Sequence, residues 1–171
     1  MGVDDRALRF MVDHRTGWAT SLAHGLMAAD GRPRWLAVEL VVCLVAVALL
    51  RAWRTAAVAV LAAVVAVGAS ELLKVVLHRP RPPVSEALVR VDGWSMPSSD
   101  GALVSSVAVV LALAALRTGR RVGRVVAAVL AVVTVVVGLA LVYLGAHWTS
   151  DVLAGWALGT LVGWGCARLL Q

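Results

Sequence analysis

Lys74 and Arg81 stand where an apolar segment ends, in the run Lys74-Val-Val-Leu-His-Arg-Pro-Arg81-Pro82. An ammonium supplies a point charge and a guanidinium a planar fork of donors, and together they suit a phosphate group. The Arg79-Pro80 and Arg81-Pro82 dipeptides impose an extended exit, which takes Arg81 off the helical spiral and lets it face Lys74 across a small gap. A second piece, Met96-Pro97-Ser98-Ser99-Asp100, opens another apolar segment. The free amides and dipole of a helix start attract anions, and the hydroxyls of Ser98 and Ser99 add donors. The third piece is His147-Trp-Thr-Ser-Asp151 at the mouth of the last apolar segment. With a helix beginning near Thr149 or Ser150, Asp151 can accept a hydrogen bond from one imidazole nitrogen and free the other to act as base or nucleophile.

Singly, each piece has an ordinary structural reading. Cations at membrane borders snorkel, Pro-Ser-Ser before a helix is an N-cap, and a histidine beside an acid at a helix mouth is simple capping. Their common placement at the ends of apolar segments lets all three meet on one face of a bilayer.

The elements that bring them together are membrane helices. With 61% hydrophobic and 15% charged residues in 171, the chain is too apolar for an ordinary soluble domain and too short for more than one. A span needs roughly 20 apolar residues, and five candidates follow: about 34 to 51, 55 to 77, 101 to 117, 122 to 144 and 151 to 170. In lipid a lone span must satisfy its own backbone, so these are helices. Residues 3 to 28 mix Asp4, Asp5, Arg6, Arg9, Asp13 and Arg15 with apolar positions, and read as an amphipathic, interfacial or re-entrant helical region. Asp30-Gly31-Arg32-Pro33 breaks that pattern. The expected fold is an all-α polytopic bundle in a single membrane domain, 1–171: an N-terminal amphipathic region or sixth helix in 1–33 and a transmembrane core in 34–171. The long loop 78–99 carries Pro80, Pro82, Pro83 and Pro97, and a loop of that length in a compact bundle is usually functional.

Charge sets the expected orientation. Arg51, Arg54, Arg117, Arg120, Arg121, Arg124 and Arg168 fall on one side without an acid, whereas the opposite side mixes acids and bases. By the positive-inside rule the arginine side is cytoplasmic, and the site faces outward across the cytoplasmic membrane. The net charge of +6 therefore reports topology and not nucleic-acid binding, which calls for one soluble patch with interleaved aromatics. The N-terminus has no basic region followed by a short apolar core, so no cleavable signal peptide is expected. Cys43 and Cys166 lie in apolar segments, where a thiol acts as a small hydrophobe; neither a disulfide nor a metal site is expected of them.

Together the three pieces resemble the signature motifs of the type-2 phosphatidic acid phosphatase family, membrane lipid-phosphate phosphatases related to vanadium haloperoxidases. Lys74, Arg81 and Pro82 match its first motif, Lys, six residues, Arg-Pro. Pro97, Ser98 and Ser99 match its second, Pro-Ser-Gly-His, in which Ser often takes the third place. His147 and Asp151 match its third, Ser-Arg, five residues, His, three residues, Asp. The resemblance spans about residues 55 to 165. It implies a bundle of the six-helix type and dephosphorylation without metal or cofactor. His147 would attack phosphorus and Asp151 would orient it, while Lys74, Arg81, Ser98 and the amide of Ser99 would hold the phosphoryl oxygens. The implied partners are a lipid or polyprenyl phosphate or diphosphate and the surrounding membrane lipids, with no nucleic acid. No residue pattern specifies the lipid or an oligomeric state.

Two positions depart from the family pattern. Asp100 stands where the second motif's His would protonate the leaving oxygen, and Ala140-Leu141 stands where Ser-Arg would add a phosphate clamp. General acid catalysis is worth about 10²- to 10⁴-fold, and a carboxylate about 4 Å from phosphate at an effective dielectric near 20 repels by roughly 4 kcal/mol. Asp100 then has three readings: a protonated carboxyl that is itself the acid, a ligand for a bridging cation, or, preferred because Asp suits a helix start, a cap that points away. Glu71 is expected to pair with Lys74, and Glu39 is a less certain intramembrane partner. The leading expectation is a lipid phosphatase working through a phosphohistidine. The alternatives are a degenerate member that binds or presents an anionic lipid, and cation-assisted chemistry on a prenyl diphosphate.

Overall fold

A computed structural model describes residues 2–27 and 52–171. Among them the chain is entirely helical: α1 (Val3–Asp13), α2 (Gly17–Met27), α3 (Trp53–Leu77), α4 (Ser99–Leu116), α5 (Arg121–Tyr143) and α6 (Thr149–Ala167), closed by a 3₁₀ turn at Arg168–Leu170. Among the described residues four helices are long and apolar enough to cross a membrane, Trp53–Leu77, Ser99–Leu116, Arg121–Tyr143 and Thr149–Leu170. Even the 18-residue α4 rises about 27 Å at 1.5 Å per residue, close to the roughly 30 Å of a hydrocarbon core. These four match the sequence expectation to within one or two residues at each end. The expected span at 34 to 51, with Glu39 and Cys43, and the break at Asp30 to Pro33 lie outside the described residues. The amphipathic N-terminal region is two helices, divided at His14 to Thr16.

Glycines set how closely the core helices approach. Gly155, Gly159 and Gly163 recur every fourth residue and so share one face of α6. A Cβ at Gly155 would fall 2.5 Å from the Ser98 carbonyl oxygen, one at Gly163 2.5 Å from that of Ser106, and one at Gly159 would overlap Ala102 and Ser105. Backbone therefore lies against backbone along the α4–α6 seam, as packing without a hydrophobic driving force requires in lipid. Below the site the core closes with Val58, Ala59, Ala62, Val110 and Ala167. The opposite face of α5 leaves Val122, Val125, Val129 and Val132 exposed, which a lipid environment accommodates and water does not.

Helix stops place the functional loops at one end of the bundle. α3 ends where His78 takes a left-handed conformation, φ 46°, with Pro80 following to bar continuation. Between α5 and α6 the chain turns at Gly145, φ +71°, whose Cα hydrogens face Ala87 so closely that a Cβ would fall 2.9 Å from the Ala87 Cα. Only glycine meets both demands without strain. The α1–α2 turn docks at the same end: Arg15 donates to the carbonyls of Glu86 at 2.7 Å and Tyr143 at 2.8 Å, and the Tyr143 hydroxyl accepts the Thr16 amide at 3.0 Å. Arg54, Arg117, Arg120, Arg121, Arg124 and Arg168 lie at the other end, flanking the opposite helix termini.

Candidate active site

The loop between α3 and α4 is pinned in place by its own backbone. The Ser95 amide donates to the Arg79 carbonyl at 2.9 Å, its hydroxyl reaches the Arg79 and Pro80 carbonyls, and the Trp148 indole donates to the Pro80 carbonyl at 2.9 Å. Ser95 is fully buried, and pairing of this kind keeps buried polar groups satisfied. The extended Arg79-Pro80-Arg81-Pro82 exit then carries Arg81 across to the α5–α6 turn. There its Nη1 donates to the Ala146 carbonyl at 2.7 Å and lies 3.2 Å from Nε2 of His147. Burial lowers the Arg81 pKa from its ordinary value, opposed by the charges of Asp100, Asp151, Glu71 and Asp92. An arginine remains charged at any working pH all the same.

His147 is buried and held on both ring nitrogens. Nδ1 lies 2.9 Å from the Ser95 carbonyl oxygen. A carbonyl only accepts and a guanidinium only donates, so these two partners require the proton on Nδ1 and a lone pair on Nε2. The expected hydrogen bond from the ring to Asp151 is not made. Asp151 Oδ2 stands 3.7 Å from Nδ1, because it accepts the Trp148 amide at 2.9 Å in the first turn of α6. Its Oδ1 takes Nη1 of Arg79 at 2.6 Å. α6 begins at Thr149, as the sequence indicates.

The Ser98–Ser99 turn meets this cluster from α4. Ser98 is the N-cap, its hydroxyl accepting the Gly101 amide at 3.2 Å, and its own amide donates to the Asp151 carbonyl at 3.0 Å. The hydroxyl expected to hold phosphate is thus first a helix cap, with one donor hydrogen left to give. Ser99 bridges Lys74 and Glu71: its hydroxyl contacts Lys74 Nζ and donates to Glu71 Oε1 at 2.5 Å. Glu71 pairs with Lys74 at 2.7 Å, as the sequence suggests. Asp100 is exposed in the first turn of α4. It faces the dipole, but the cap preferred for it belongs to Ser98. Leu141, at the position of the family's arginine, is wholly buried with Val142, Ala146 and Val152.

Residues 52–171 match the family model of the PAP2 superfamily. The chain belongs to the PAP2 superfamily. Its fold superposes with a TM-score of 0.81 on the crystal structure of a transmembrane PAP2-type phosphatidylglycerolphosphate phosphatase from Bacillus subtilis, with 24% identity over 97% of this chain and 83% of that one. It superposes with a TM-score of 0.78 on the crystal structure of Aquifex aeolicus LpxE, with 20% identity over 98% and 96% of the two chains. At these identities the likeness establishes a common membrane fold. No curated protein matches the chain in sequence.

Within this PAP2 framework the structure brings Lys74, Arg81, Ser98, Ser99, His147 and Asp151 to one end of the bundle. Arg79, Asp4 and Ser95 join this cluster, and the sequence reading named none of them as a site residue. Arg79 sits in the motif run and carried a signal, whereas Asp4 lies 75 residues away from Arg79 and Ser95 acts through its backbone. Asp4 accepts Arg79 Nη2 at 2.7 Å and the Ser150 amide at 2.9 Å. Desolvation raises its pKa, but hydrogen bonds from Ser150 and Arg79 outweigh this and hold it below the ordinary 3.8.

Proposed function

We propose that this protein is a lipid-phosphate phosphatase acting at the outer face of the cytoplasmic membrane through a phosphohistidine at His147. The observation that carries the reading is a buried imidazole whose Nε2 lies 3.2 Å from an arginine fork, with the Asp151 carbonyl four residues on accepting the Ser98 amide at the start of α4. In the reaction Nε2 attacks phosphorus, the bond from phosphorus to the ester oxygen breaks, and the departing alkoxide takes a proton from water and leaves as the lipid alcohol. Water then cleaves the N–P bond and releases inorganic phosphate. Lys74, Arg81 and the Ser98–Ser99 turn carry the phosphoryl oxygens, supplying charge where it develops in the transition state. The bundle presents this site at a helix end, where a lipid's tail lies among the helices and its head reaches the polar cluster. A phospholipid or polyprenyl phosphate is the substrate class; the name of the Bacillus subtilis neighbour, a phosphatidylglycerolphosphate phosphatase, supports a phosphomonoester at the membrane. The one-sided arginines support the outward-facing site.

A second reading is favoured by a specific observation. With Leu141 buried and Asp100 in place of an imidazole, these two positions supply neither the cation nor the imidazole of the family pattern, which suits a member that binds an anionic lipid without hydrolysing it. Phosphate release from dioctanoyl phosphatidic acid and a short polyprenyl phosphate, in detergent with and without Mg²⁺, separates the two. Release that His147→Ala abolishes supports the phosphatase; binding of the same lipids without release supports the second reading. A Mg²⁺ dependence lost in Asp100→Asn marks cation-assisted chemistry instead.

A further inference from the structure

Arg79 lies between two carboxylates from opposite ends of the sequence. Nη1 donates to Asp151 Oδ1 at 2.6 Å and to the Ser150 hydroxyl at 2.6 Å, and Nη2 donates to Asp4 Oδ2 at 2.7 Å. Its guanidinium also stacks over the Trp148 ring, 5.8 Å from the centroid. Asp4, on α1, grips the first turn of α6 directly: Oδ1 accepts the Ser150 amide at 2.9 Å and Oδ2 the Ser150 hydroxyl at 2.5 Å. Asp151 is completely buried, and a buried carboxylate demands charge or hydrogen-bond compensation. Arg79 and the Trp148 amide provide it, which leaves the His147 ring hydrogen to the Ser95 carbonyl.

We propose that Arg79, set in place by Asp4, is the positioning residue of the nucleophile, so that the N-terminal helix α1 is a working part of the site. Arg79 keeps Asp151 saturated and 3.7 Å from the ring, and the ring stays turned by Ser95 with Nε2 toward Arg81. Without the guanidinium, Asp151 Oδ1 has no donor, and the carboxylate is no longer held in the first turn of α6, where its Oδ2 accepts the Trp148 amide beside His147. The residue next to His147 then shifts and carries the ring with it, so that Nε2 leaves its place toward the phosphorus. None of the groups that carry the phosphoryl oxygens is altered by that change, so the loss falls on turnover and not on substrate binding.

The kinetic arm of the test rests on the phosphatase reading; a spectroscopic arm does not. The full chain in detergent, wild type and the Arg79→Gln, Arg79→Lys and Asp4→Asn variants, is assayed for phosphate release from dioctanoyl phosphatidic acid, and the Nδ1–H proton of His147 is followed by NMR of ¹⁵N-histidine-labelled protein. Arg79→Gln is expected to lower kcat by about 10- to 100-fold, the range for a nucleophile misplaced by about 1 Å, with KM within about twofold. Its Nδ1–H resonance moves as the ring shifts against the Ser95 carbonyl. Arg79→Lys recovers part of both, and Asp4→Asn, which leaves the core charge pair intact, gives a smaller change in the same direction even where Arg79→Gln fails to fold. A raised KM at unchanged kcat, or an Nδ1–H resonance that stays put in every variant, overturns the proposal. If the wild type releases no phosphate, the phosphatase reading falls and the resonance alone decides whether Arg79 positions the ring.

Discussion

Nη1 of Arg81 and Nε2 of His147 face each other at 3.2 Å, the donor fork of one meeting the lone pair of the other. In the proposed reaction a phosphoryl group entering between them would exchange a hydrogen bond to nitrogen for charge-assisted bonds to oxygen, and would meet the nucleophile in the same movement. Arg81→Lys keeps the charge but loses the fork and its bonds to the Ala146, Gly93 and Trp94 carbonyls. A hydrogen bond to a charged group is worth about 1.5 to 3 kcal/mol, so kcat/KM for phosphate release is expected to fall about 10- to 100-fold. Full activity in Arg81→Lys would place the phosphate elsewhere.

Glu71 occupies the cation that the proposed reaction assigns to the phosphate. Lys74 is nearly buried, and its partners are Glu71 and Ser99, so an arriving phosphate competes with a carboxylate for the same ammonium. Glu71 is more than half exposed, with a side-chain exposure of 57%, and exposed pairs contribute at most about 1 kcal/mol. Glu71→Gln is therefore expected to tighten inhibition by orthovanadate or inorganic phosphate modestly, by about two- to fivefold. An unchanged or weaker inhibition constant would show that Glu71 positions Lys74 instead of competing for it.

The limits of the sequence follow from what spacing can encode. Lys74 and Arg81, Ser98 and Ser99, and His147 and Asp151 each lie within one helix end or turn, and the succession of apolar segments places those ends on one face, so their convergence was legible. The Asp4–Arg79–Asp151 chain was not, because an ion pair between residues 75 positions apart leaves no local pattern; Asp4 read only as one charge on an amphipathic face. Nor could the residue types show that Ser95 would accept the imidazole proton, since any residue offers a carbonyl. The carboxylate four residues after His147 was the natural acceptor by side-chain chemistry. It is diverted because the same oxygen completes the first turn of α6.

Acid stability tests the Asp4 anchor. Its pKa in the folded chain lies below the ordinary 3.8, so folding gains from Asp4 ionisation above about pH 4 and loses that gain as pH falls through the depressed folded value. Thermal unfolding in detergent is expected to show Asp4→Asn less stable than wild type at pH 6, with the gap narrowing below about pH 4. A gap that does not change with pH would mean that the ionised carboxylate contributes nothing to holding α1 on α6.

The glycine seam makes a prediction about packing. In Gly159→Ala the new methyl meets the Ala102 carbonyl oxygen, part of the α4 backbone, and the helices must part to admit it. Overpacking of this kind costs about 1 to 3 kcal/mol, which for a chain of this size lowers Tm by about 3 to 10 °C. Gly165→Ala on the same helix meets nothing within 4 Å and is expected to be neutral or slightly stabilising, since alanine is the better helix former. Equal effects of the two substitutions would remove the α4–α6 seam from the account.

The two departures from the family motifs are not equivalent once their surroundings are known. Leu141 fills a core position with no exposed surface, packed with Val142, Ala146 and Val152, and its carbonyl accepts the Ala146 amide at 3.0 Å. An arginine there would bury a charge among aliphatic side chains, so Leu141→Arg is expected to destabilise the bundle and add no phosphate clamp. Asp100 is exposed at the start of α4, close enough for its charge to act on Arg81, and an imidazole in its place meets no packing obstacle. Asp100→His supplies a group that titrates near neutrality and removes a charge that repels phosphate. If proton delivery to the leaving oxygen limits the natural chain, the rate of phosphate release rises by about 10²- to 10⁴-fold, and the gain disappears in Asp100→His with His147→Ala. A rate that stays the same in Asp100→His means that a step other than leaving-group protonation limits turnover, or that the natural carboxyl already donates the proton. Asp100→Asn separates these two outcomes, since an amide repels no phosphate and delivers no acidic proton: activity is retained in the first case and lost in the second.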